Sequence, residues 1–523
     1  MEAITRISAS QLAARIRDGD LSAQQVTQAH IQRIEAVNDK LNAVVIPLFD
    51  DARAQAEEAD QRQRHGQSLG PLHGVPITIK DQFHVKGLPT TFGVARLRSQ
   101  IADRDGPMVA ALRRAGAIIL GKTNVPQTLG VVETDNAIWG RTNNPWDLTR
   151  TPGGSSGGEA AIIAACGSPL GLGADFGGSA RLPAAWCGIY SIKPTARRMP
   201  QDSGPVRTAS GAEGLVVQPC PMARSVADLT LALRPMVDQV VAHPTGANPP
   251  VPFREPDALD VSRLRVALLS QIGDWLPSPA IRRALQESAE ALREQGATVD
   301  EMTTVPDTQE GVNLFFSIVA ADGFSRVQQI LGGEKPVPLM KRNVTLTSMP
   351  NAIIPVVAAL LGAIGQRRLS NMMRNARRQS AAGLMNLLGA RIDYERRFVA
   401  ALDAGNYDAI LCPALPVPAV RHRDVGNLAD FWGSMLLFNT LGMPAGVAPI
   451  TRVQPGEESD RSASKDKTEQ TARTVEQGSA GLPVAVQVAA RHWREDIVLA
   501  VMAALERHFR HQPEYPFSPD LAV

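Results

Sequence analysis

Two serines that each follow a pair of glycines, Ser155 and Ser179, are the residues in this chain most suited to covalent chemistry. A glycine beside a serine leaves the hydroxyl and the neighbouring N–H groups accessible to a substrate. Upstream, Lys80 ends the apolar run GVPITI at residues 74–79. Because an apolar setting disfavours the ammonium form, such a lysine can serve as a base near neutral pH. The three residues predict a nucleophile, a relay hydroxyl and an amine base in one hydrolase without a catalytic histidine.

The second glycine pair also predicts a site for a developing negative charge. Attack on a carbonyl creates an oxyanion that needs preorganised N–H donors. Phe176, Gly177, Gly178 and Ser179 offer four consecutive backbone N–H groups, and the two glycines allow a tight turn without Cβ clashes. We therefore predict that this stretch forms an oxyanion hole.

Four blocks in a fixed order carry a resemblance to a known family. They are GVPITIKD (74–81), NNPWDLTRTPGGSSGG (143–158), GLGADFGGSARLPAAWCG (171–188) and PMARSVADL (221–229). Ordered blocks are far more specific than one glycine-rich loop. The chain resembles the amidase signature family, and FNTLGMPAGVAPIT (438–451) is most similar to its fatty acid amide hydrolase branch. The resemblance implies an α/β fold with a large, mixed, twisted β-sheet covered by helices on both faces.

The resemblance also assigns roles to the residues. It implies that Ser179 is the nucleophile, that Ser155 is the bridging serine, usually held by a cis peptide bond, and that Lys80 is the base. An alignment without gaps back from Ser155 places Leu129 at a backbone position that contacts substrate. Two residues depart from the family pattern: Ala174 replaces the usual Ser or Thr, and Ala180 replaces a common Ile.

The implied activity is hydrolysis of linear carboxylic amides through an acyl-enzyme, with hydrophobic or fatty acyl amides as the expected substrates and esters or carbamates as further ones. No cofactor and no metal are expected, because no His/Cys spacing suits a metal. Three alternatives within the family stay open: a glutamine-processing amidotransferase subunit, an aryl acylamidase and a urethanase. Intact Lys80, Ser155 and Ser179 argue against a degenerate, non-catalytic subunit.

Three other interpretations compete for these motifs. GAIILGKT (116–123) matches a phosphate-binding loop, but its apolar run 117–120 is typical of a buried strand, which disfavours nucleotide binding. Residues 153–157 match the GxSxG elbow, which would need a histidine such as His422 or His492 and would leave the second serine unexplained. Finally, a buried lysine is usually half of an ion pair, and Asp81 adjoins Lys80.

The amino-acid composition limits the binding partners and the cellular compartment that we expect for this protein. The 54 basic and 52 acidic residues leave a net charge of +2, which gives no reason to expect nucleic acid as a partner. Four cysteines without a CxxC pair favour reduced thiols in a cytoplasmic protein. No apolar stretch reaches the roughly 20 residues that span a bilayer. The expected partner is a small-molecule amide, and a homodimer is left open.

Family blocks near both ends predict a single domain over residues 1–523. Within it we expect N-terminal helices at 1–68, opened by Ser8/Gln11 and Ser22/Gln25 capping boxes, and a catalytic core at 70–230. A variable helical substrate-cap region is expected at 330–390, and the polar run 454–480 predicts a flexible surface insertion.

The stretch 353–364 (IIPVVAALLGAI) is the most apolar in the chain and precedes five arginines within 353–378. It is too short to span a bilayer. Its composition predicts a channel cap or a peripheral membrane contact, and an ordinary core helix is the alternative interpretation.

Overall fold

The computed structural model describes residues 2–200, 215–347 and 349–521. Residues 201–214 of the predicted core 70–230, and the ends of the predicted domain 1–523, therefore lie outside the described residues. The strands are β1 (Val44–Pro47), β2 (Pro76–Lys80), β3 (Ile118–Thr123), β4 (Asp135–Asn136), β5 (Gly140–Arg141), β6 (Leu170–Asp175), β7 (Tyr190–Lys193), β8 (Gln218–Ala223), β9 (Arg265–Leu268), β10 (Thr298–Glu301), β11 (Ala409–Pro413), β12 (Ala445–Arg452) and β13 (Pro483–Ala490).

Helices precede, separate and follow these strands. They are α1 (Glu2–Arg6), α2 (Ala9–Arg17), α3 (Ala23–Leu41), α4 (Phe49–Arg64), α5 (Pro107–Arg114), α6 (Gly157–Ala164), α7 (Arg181–Cys187), α8 (Val226–Ala242), α9 (Pro279–Glu294), α10 (Thr308–Val319), α11 (Ser325–Leu331), α12 (Pro338–Thr347), α13 (Ile354–Ala363), α14 (Arg367–Asn375), α15 (Ala381–Ala404), α16 (Gly433–Thr440), α17 (Lys467–Glu476) and α18 (Glu495–Phe509). None of these helices is long and apolar enough to cross a bilayer.

Eleven strands form one mixed sheet in the order β1-β3-β2-β6-β8-β7-β12-β13-β11-β9-β10. β2 runs parallel to both β3 and β6, whereas β6 and β8 are antiparallel. Every residue of β2, β3, β6, β8 and β13 is buried, which requires cover on both faces of the sheet. The predicted α/β fold with a large mixed sheet is therefore confirmed.

Local sequence signals at the N-terminus place the first helices well. The Ser8/Gln11 and Ser22/Gln25 capping boxes open α2 and α3, with both reciprocal hydrogen bonds formed. These boxes satisfy backbone N–H groups that have no partner inside a helix. The predicted helices of this region are therefore present.

The sequence that resembles a phosphate-binding loop is a buried strand. Residues 118–123 form β3, and Lys122 Nζ lies 2.7 Å from Asp81 Oδ1 with both side chains fully buried. A phosphate loop needs converging free N–H groups, whereas those of a central strand belong to the sheet. The same ion pair shows that Asp81 is the partner of Lys122, so the ion-pair interpretation of Lys80 with Asp81 is wrong.

Residues 454–480 differ from the flexible insertion expected from their composition. They contain α17, whose Ala472 and Val475 are buried. Arg461 lies 2.8 Å from Glu476, and Glu457 lies 2.6 Å from Arg283 on α9. Ion pairs and two small apolar anchors hold this segment, and a polar composition alone does not reveal such pairing.

The apolar stretch 353–364 is mostly helix α13, and only its Ile354 and Ala358 are buried. Val356, Leu360 and Ile364 are 60–66% exposed and follow one another at four-residue spacing. Side chains at this spacing share one helix face. The core-helix interpretation is therefore wrong, because this face has no cover within the described chain.

Candidate active site

The sheet topology brings the predicted lysine and the second serine to one edge. β2 and β6 are adjacent and parallel, with Thr78 opposite Gly171 and Ile79 opposite Leu172. Their carboxyl ends therefore lie together, and Lys80 is the last residue of β2 while Ser179 follows β6. Ligand sites of open α/β sheets commonly form at this edge.

Lys80 points at the first serine. Its Nζ donates to Ser155 Oγ at 2.8 Å and approaches the carbonyl oxygen of Ala174 at 3.4 Å. Burial lowers the pKa of Lys80 to about 7, while Cys220, Asp175 and Glu159 act in the opposite direction. A neutral amine is therefore populated near neutral pH, as a general base requires.

The loop that carries Ser155 is held by tight backbone packing. A Cβ on Gly154 would lie 3.0 Å from the carbonyl oxygen of Val131, so only glycine fits without a shift. The Gly154–Ser155 peptide bond is cis, as the family resemblance implied. The loop then enters α6, which begins at Gly157.

Ser156 joins the two serine segments, a role that the sequence analysis missed. Its N–H donates to the carbonyl oxygen of Ser179 at 2.9 Å. Its hydroxyl lies 3.3 Å from both the N–H and the carbonyl oxygen of Ala174 on β6. The doubled serine in GGSSGG was the available signal.

Asp175 shapes the turn before Ser179 and was also missed. Its carboxylate accepts from Gly178 N–H at 2.9 Å and from Arg181 Nε at 2.9 Å. Burial alone would raise the pKa of Asp175, but the Arg181 guanidinium and a hydrogen bond from Asn439 hold it well below its usual range. A permanent carboxylate therefore fixes the turn.

The same turn supplies donors for an oxyanion. The N–H groups of Phe176, Gly177 and Ser179 form no hydrogen bond within the described part of the chain. The N–H of Gly178 differs from the expectation, because it already donates to Asp175. Three of the four predicted N–H groups thus remain available to a ligand. The placement of Phe176, Gly177 and Ser179 is compatible with an oxyanion hole, which stays a prediction.

Glu159, on the first turn of α6, is a buried carboxyl group close to Lys80. It accepts hydrogen bonds from the hydroxyls of Thr78 and, at 2.7 Å, Thr123. Burial raises the pKa of Glu159 to about 7, against the effects of both threonines and of Lys80. Its charge therefore favours the protonated form of the lysine.

A cavity of about 370 Å³ opens onto these groups. Lys80, Ser155 and Ser179 lie in its wall together with Phe176, Gly177 and the predicted contact residue Leu129, whose φ is +59°. The rest of the wall is mainly apolar and includes Phe315, Phe316, Trp432, Ile354, Met373 and Leu384. The expected cap region 330–390 thus contributes to the cavity.

No histidine among the described residues lines this cavity. His422 Nδ1 lies 3.2 Å from Glu133 Oε1, and His492 Nε2 lies 2.8 Å from the carbonyl oxygen of Leu441. The GxSxG match at 153–157 also follows a loop, whereas the elbow follows a strand. The elbow interpretation is therefore wrong. Within the described ranges, no three His, Cys, Asp or Glu residues cluster as metal ligands would.

We expect amide hydrolysis to rise through pH 7 and to reach an alkaline plateau. Below its pKa Lys80 is an ammonium and cannot accept a proton, so kcat/KM falls as pH falls. The measurement is kcat/KM from pH 5 to 10. In Glu159→Gln the apparent pKa should shift downward, because a nearby negative charge that raises the lysine pKa is removed. A flat profile, or one that falls through pH 7, would contradict a neutral lysine base.

The sequence and the fold of this chain are both similar to those of known amidases. The sequence model of the Amidase family matches residues 25–499. Fatty-acid amide hydrolase 1 of Sus scrofa is 33% identical over 97% of this chain and 86% of its own length. A glutamyl-tRNA(Gln) amidotransferase subunit of Streptomyces coelicolor is 30% identical over 99% of this chain and 98% of its own length. The solved structure of a fatty acid amide hydrolase superposes with a TM-score of 0.82 at 28% identity, covering 97% of this chain and 85% of that one.

Proposed function

Because the chain belongs to the amidase signature family and is an amide hydrolase, we propose that it cleaves linear amides of hydrophobic carboxylic acids through an acyl-enzyme on Ser179. The observation that carries this proposal is the largely apolar cavity that opens onto Lys80, Ser155 and Ser179. Esters and carbamates that fit the same cavity are further expected substrates.

The proposed reaction uses the three residues in sequence. Lys80 takes the proton of Ser155 as Ser155 takes that of Ser179, and Ser179 Oγ attacks the carbonyl carbon. The N–H groups of the turn stabilise the oxyanion. The proton returns through Ser155 to the leaving nitrogen, which would otherwise depart as a very poor amine anion. Water then hydrolyses the acyl-enzyme, releasing the acid and restoring Ser179. The 2.8 Å contact between Lys80 and Ser155 supports the first step.

The lining of the cavity favours an extended apolar acyl group. Phe176 and Phe315 lie with ring centroids 5.6 Å apart, and Phe316 and Trp432 lie 5.8 Å apart in an edge-on arrangement. A glutamine side chain would bring an amide that needs several hydrogen bonds, which such rings do not offer. The similarity in sequence to an amidotransferase subunit nevertheless supports glutamine processing as the alternative function, and substrate tests must distinguish the two.

We expect kcat/KM to rise with the length of the acyl chain. Each methylene buried in the cavity should contribute up to about 0.8 kcal/mol, or about fourfold in kcat/KM, until the cavity is full. The measurement is kcat/KM over a series of anilides from acetyl to palmitoyl, with Ser179→Ala as the blank. A preference for acetyl, glutaminyl or compact aryl acyl groups would defeat the proposal and leave only the general amidase assignment.

We further propose that the protein is cytoplasmic and contacts membranes peripherally through 353–378. The exposed face of α13 is aliphatic, and the segment carries five arginines and no acidic residue. Arg368 is engaged with Glu469 at 2.6 Å, and the other four are exposed. An apolar face with a basic border suits an anionic bilayer surface. Ile354, on the opposite side of α13, lines the cavity, so lipid-borne substrate would enter beside it.

Sedimentation with vesicles tests this contact. We expect binding to vesicles that contain phosphatidylserine and at least tenfold weaker binding by Val356→Asp/Leu360→Asp. The matched control is Ile101→Asp/Leu276→Asp, which adds the same charge at exposed apolar residues elsewhere. If the wild-type chain ignores vesicles but is a dimer that the α13 variant dissociates, the face is a homodimer interface and the membrane proposal fails.

A further inference from the structure

One cationic side chain in the cavity wall has no counterion in the described structure. Arg342 lies on α12, is half-buried and lines the cavity. It takes part in no ion pair or hydrogen bond within residues 2–200, 215–347 and 349–521. Burial lowers the pKa of Arg342, and no carboxylate of the described residues opposes that effect. A desolvated guanidinium without a partner is costly, and proteins rarely keep one unless a ligand completes it.

The packing of α12 brings one face of this helix against the segment beside the catalytic loop. Met340, two residues earlier, lies against Thr128, with 3.9 Å between Sδ and Oγ1. A Cβ on Gly130 would lie 2.7 Å from Met340 Cε. The neighbouring Val131 in turn packs its carbonyl oxygen on Gly154 beside Ser155. A short series of contacts therefore links α12 to the Ser155 loop.

The segment that faces α12 leaves room for the guanidinium. A Cβ on Gly426 would lie 3.3 Å from Arg342 Nη1 and 3.1 Å from Leu339 Cδ1. Any larger residue at this position would crowd the arginine head group. Gly426 lines the same cavity, so its close approach to Arg342 lies at the site.

The acidic residue in the cavity wall is already committed elsewhere. Asp322 accepts from Phe324 N–H at 2.8 Å and from Ser325 Oγ at 3.0 Å, just before and at the first residue of α11. Arg342 is therefore left without a carboxylate partner among the described residues, in the wall of a cavity that is otherwise mainly apolar.

We propose that Arg342 binds a carboxylate of the substrate, so that the enzyme prefers amides bearing a carboxylate away from the scissile bond over neutral amides of the same length. An arginine is suited to this role, because its planar fork can hold both carboxylate oxygens. The inference rests on the proposed function, since it requires that Ser179 and Arg342 face one bound substrate. It names amphiphilic acids, with an apolar chain and one anionic group, as the substrate class.

Two matched pairs of amides test the preference and locate the carboxylate. N-dodecanoylglycine against N-dodecanoylethanolamine places the charge on the amine side. Decanedioic acid monoanilide against decanoic acid anilide places it on the acyl side. In one of the two pairs, wild-type kcat/KM should be at least about tenfold higher for the charged member, which is the usual size of a desolvated charged hydrogen bond. The pair that shows the preference identifies whether the bound carboxylate lies on the acyl side or the amine side of the scissile bond.

Variants assign the preference to the residue. Arg342→Gln should remove this preference, mainly by raising KM for the charged substrate, so that kcat/KM of the charged and neutral members of the pair comes within about twofold of each other. Arg342→Lys should retain part of the preference. Lys341→Gln removes the same charge from an exposed position on the same helix and should leave kcat/KM unchanged for both substrates.

The outcomes separate this inference from the proposed function. No preference in either pair, or a preference that survives Arg342→Gln, overturns the anion site. If the neutral amides are cleaved by the wild type but not by Ser179→Ala, the proposed function stands whether or not the enzyme prefers the carboxylate-bearing substrates. If their cleavage survives Ser179→Ala, the proposed function itself fails.

Discussion

Replacing Ser179 with alanine is expected to reduce kcat/KM for amides by about 10⁴-fold or more, because the proposed acyl-enzyme cannot form without its hydroxyl. The fold should survive, since the change removes one oxygen from a side chain that faces the cavity. The measurement combines steady-state kinetics on a dodecanoyl anilide with thermal unfolding. Ser155→Ala should cause a smaller loss, because the proposed nucleophile is retained.

Ser168→Ala is the matched control. Ser168 is a buried serine whose hydroxyl donates to the carbonyl oxygen of Leu170 at 2.7 Å, outside the cavity wall. Its loss should lower stability by about 1 kcal/mol and leave kcat/KM nearly unchanged. Activity that survives Ser179→Ala, with the same substrate profile as wild type, would rule out Ser179 as the nucleophile.

Replacing Lys80 is expected to depress amide hydrolysis by about 10²- to 10⁴-fold, the range for loss of a general acid–base group. Ester hydrolysis should fall much less, because an alkoxide leaves with less help from a proton than an amine does. The measurement compares kcat/KM for a matched amide and ester in wild type and Lys80→Met. Methionine fills the buried space without the amine, so packing is largely kept.

Two further variants sharpen the lysine test. Lys80→Ala leaves a cavity, and any loss beyond that of Lys80→Met measures packing alone. Lys80→Arg keeps a cation that cannot deprotonate in a protein, so it should not restore activity. Equal losses on the amide and the ester would instead indicate that Lys80 is structural, a support for the Ser155 loop and not a base.

The sequence predicts the fold class and the local elements well where short signals decide the outcome. Capping boxes place α2 and α3, and the apolar run within GAIILGKT predicts β3 despite its likeness to a phosphate loop. The family blocks bring Lys80, Ser155 and Ser179 to one cavity wall. Each of these signals is local in the chain or repeated within a family.

Features that depend on distant partners could not be predicted in the same way. Asp81 pairs with Lys122 and not with the adjacent Lys80. The register of β2 and β3 sets Lys122 opposite Ile79, two residues before Asp81, and this pairing between strands brings the two charges together. The commitment of Gly178 N–H to Asp175 likewise depends on the shape of the turn. The order in 454–480 arises from ion pairs with residues far away in the chain, such as Arg283.

The role of Arg342 belongs to the same group. In the sequence it is one of many basic residues, and α12 carries no motif. Only the tertiary structure shows that it lines the cavity that holds the serines and lacks a counterion in the described chain.

The most direct test of the central claim is to identify the serine that becomes acylated. The wild-type chain would be labelled with a fluorophosphonate, digested, and analysed by peptide mass spectrometry. One adduct is expected, on Ser179, and it should be absent from Ser179→Ala and form more slowly in Lys80→Met. An adduct on Ser155 in the wild-type chain would contradict this expectation and would mean that the nucleophile and the relay are exchanged.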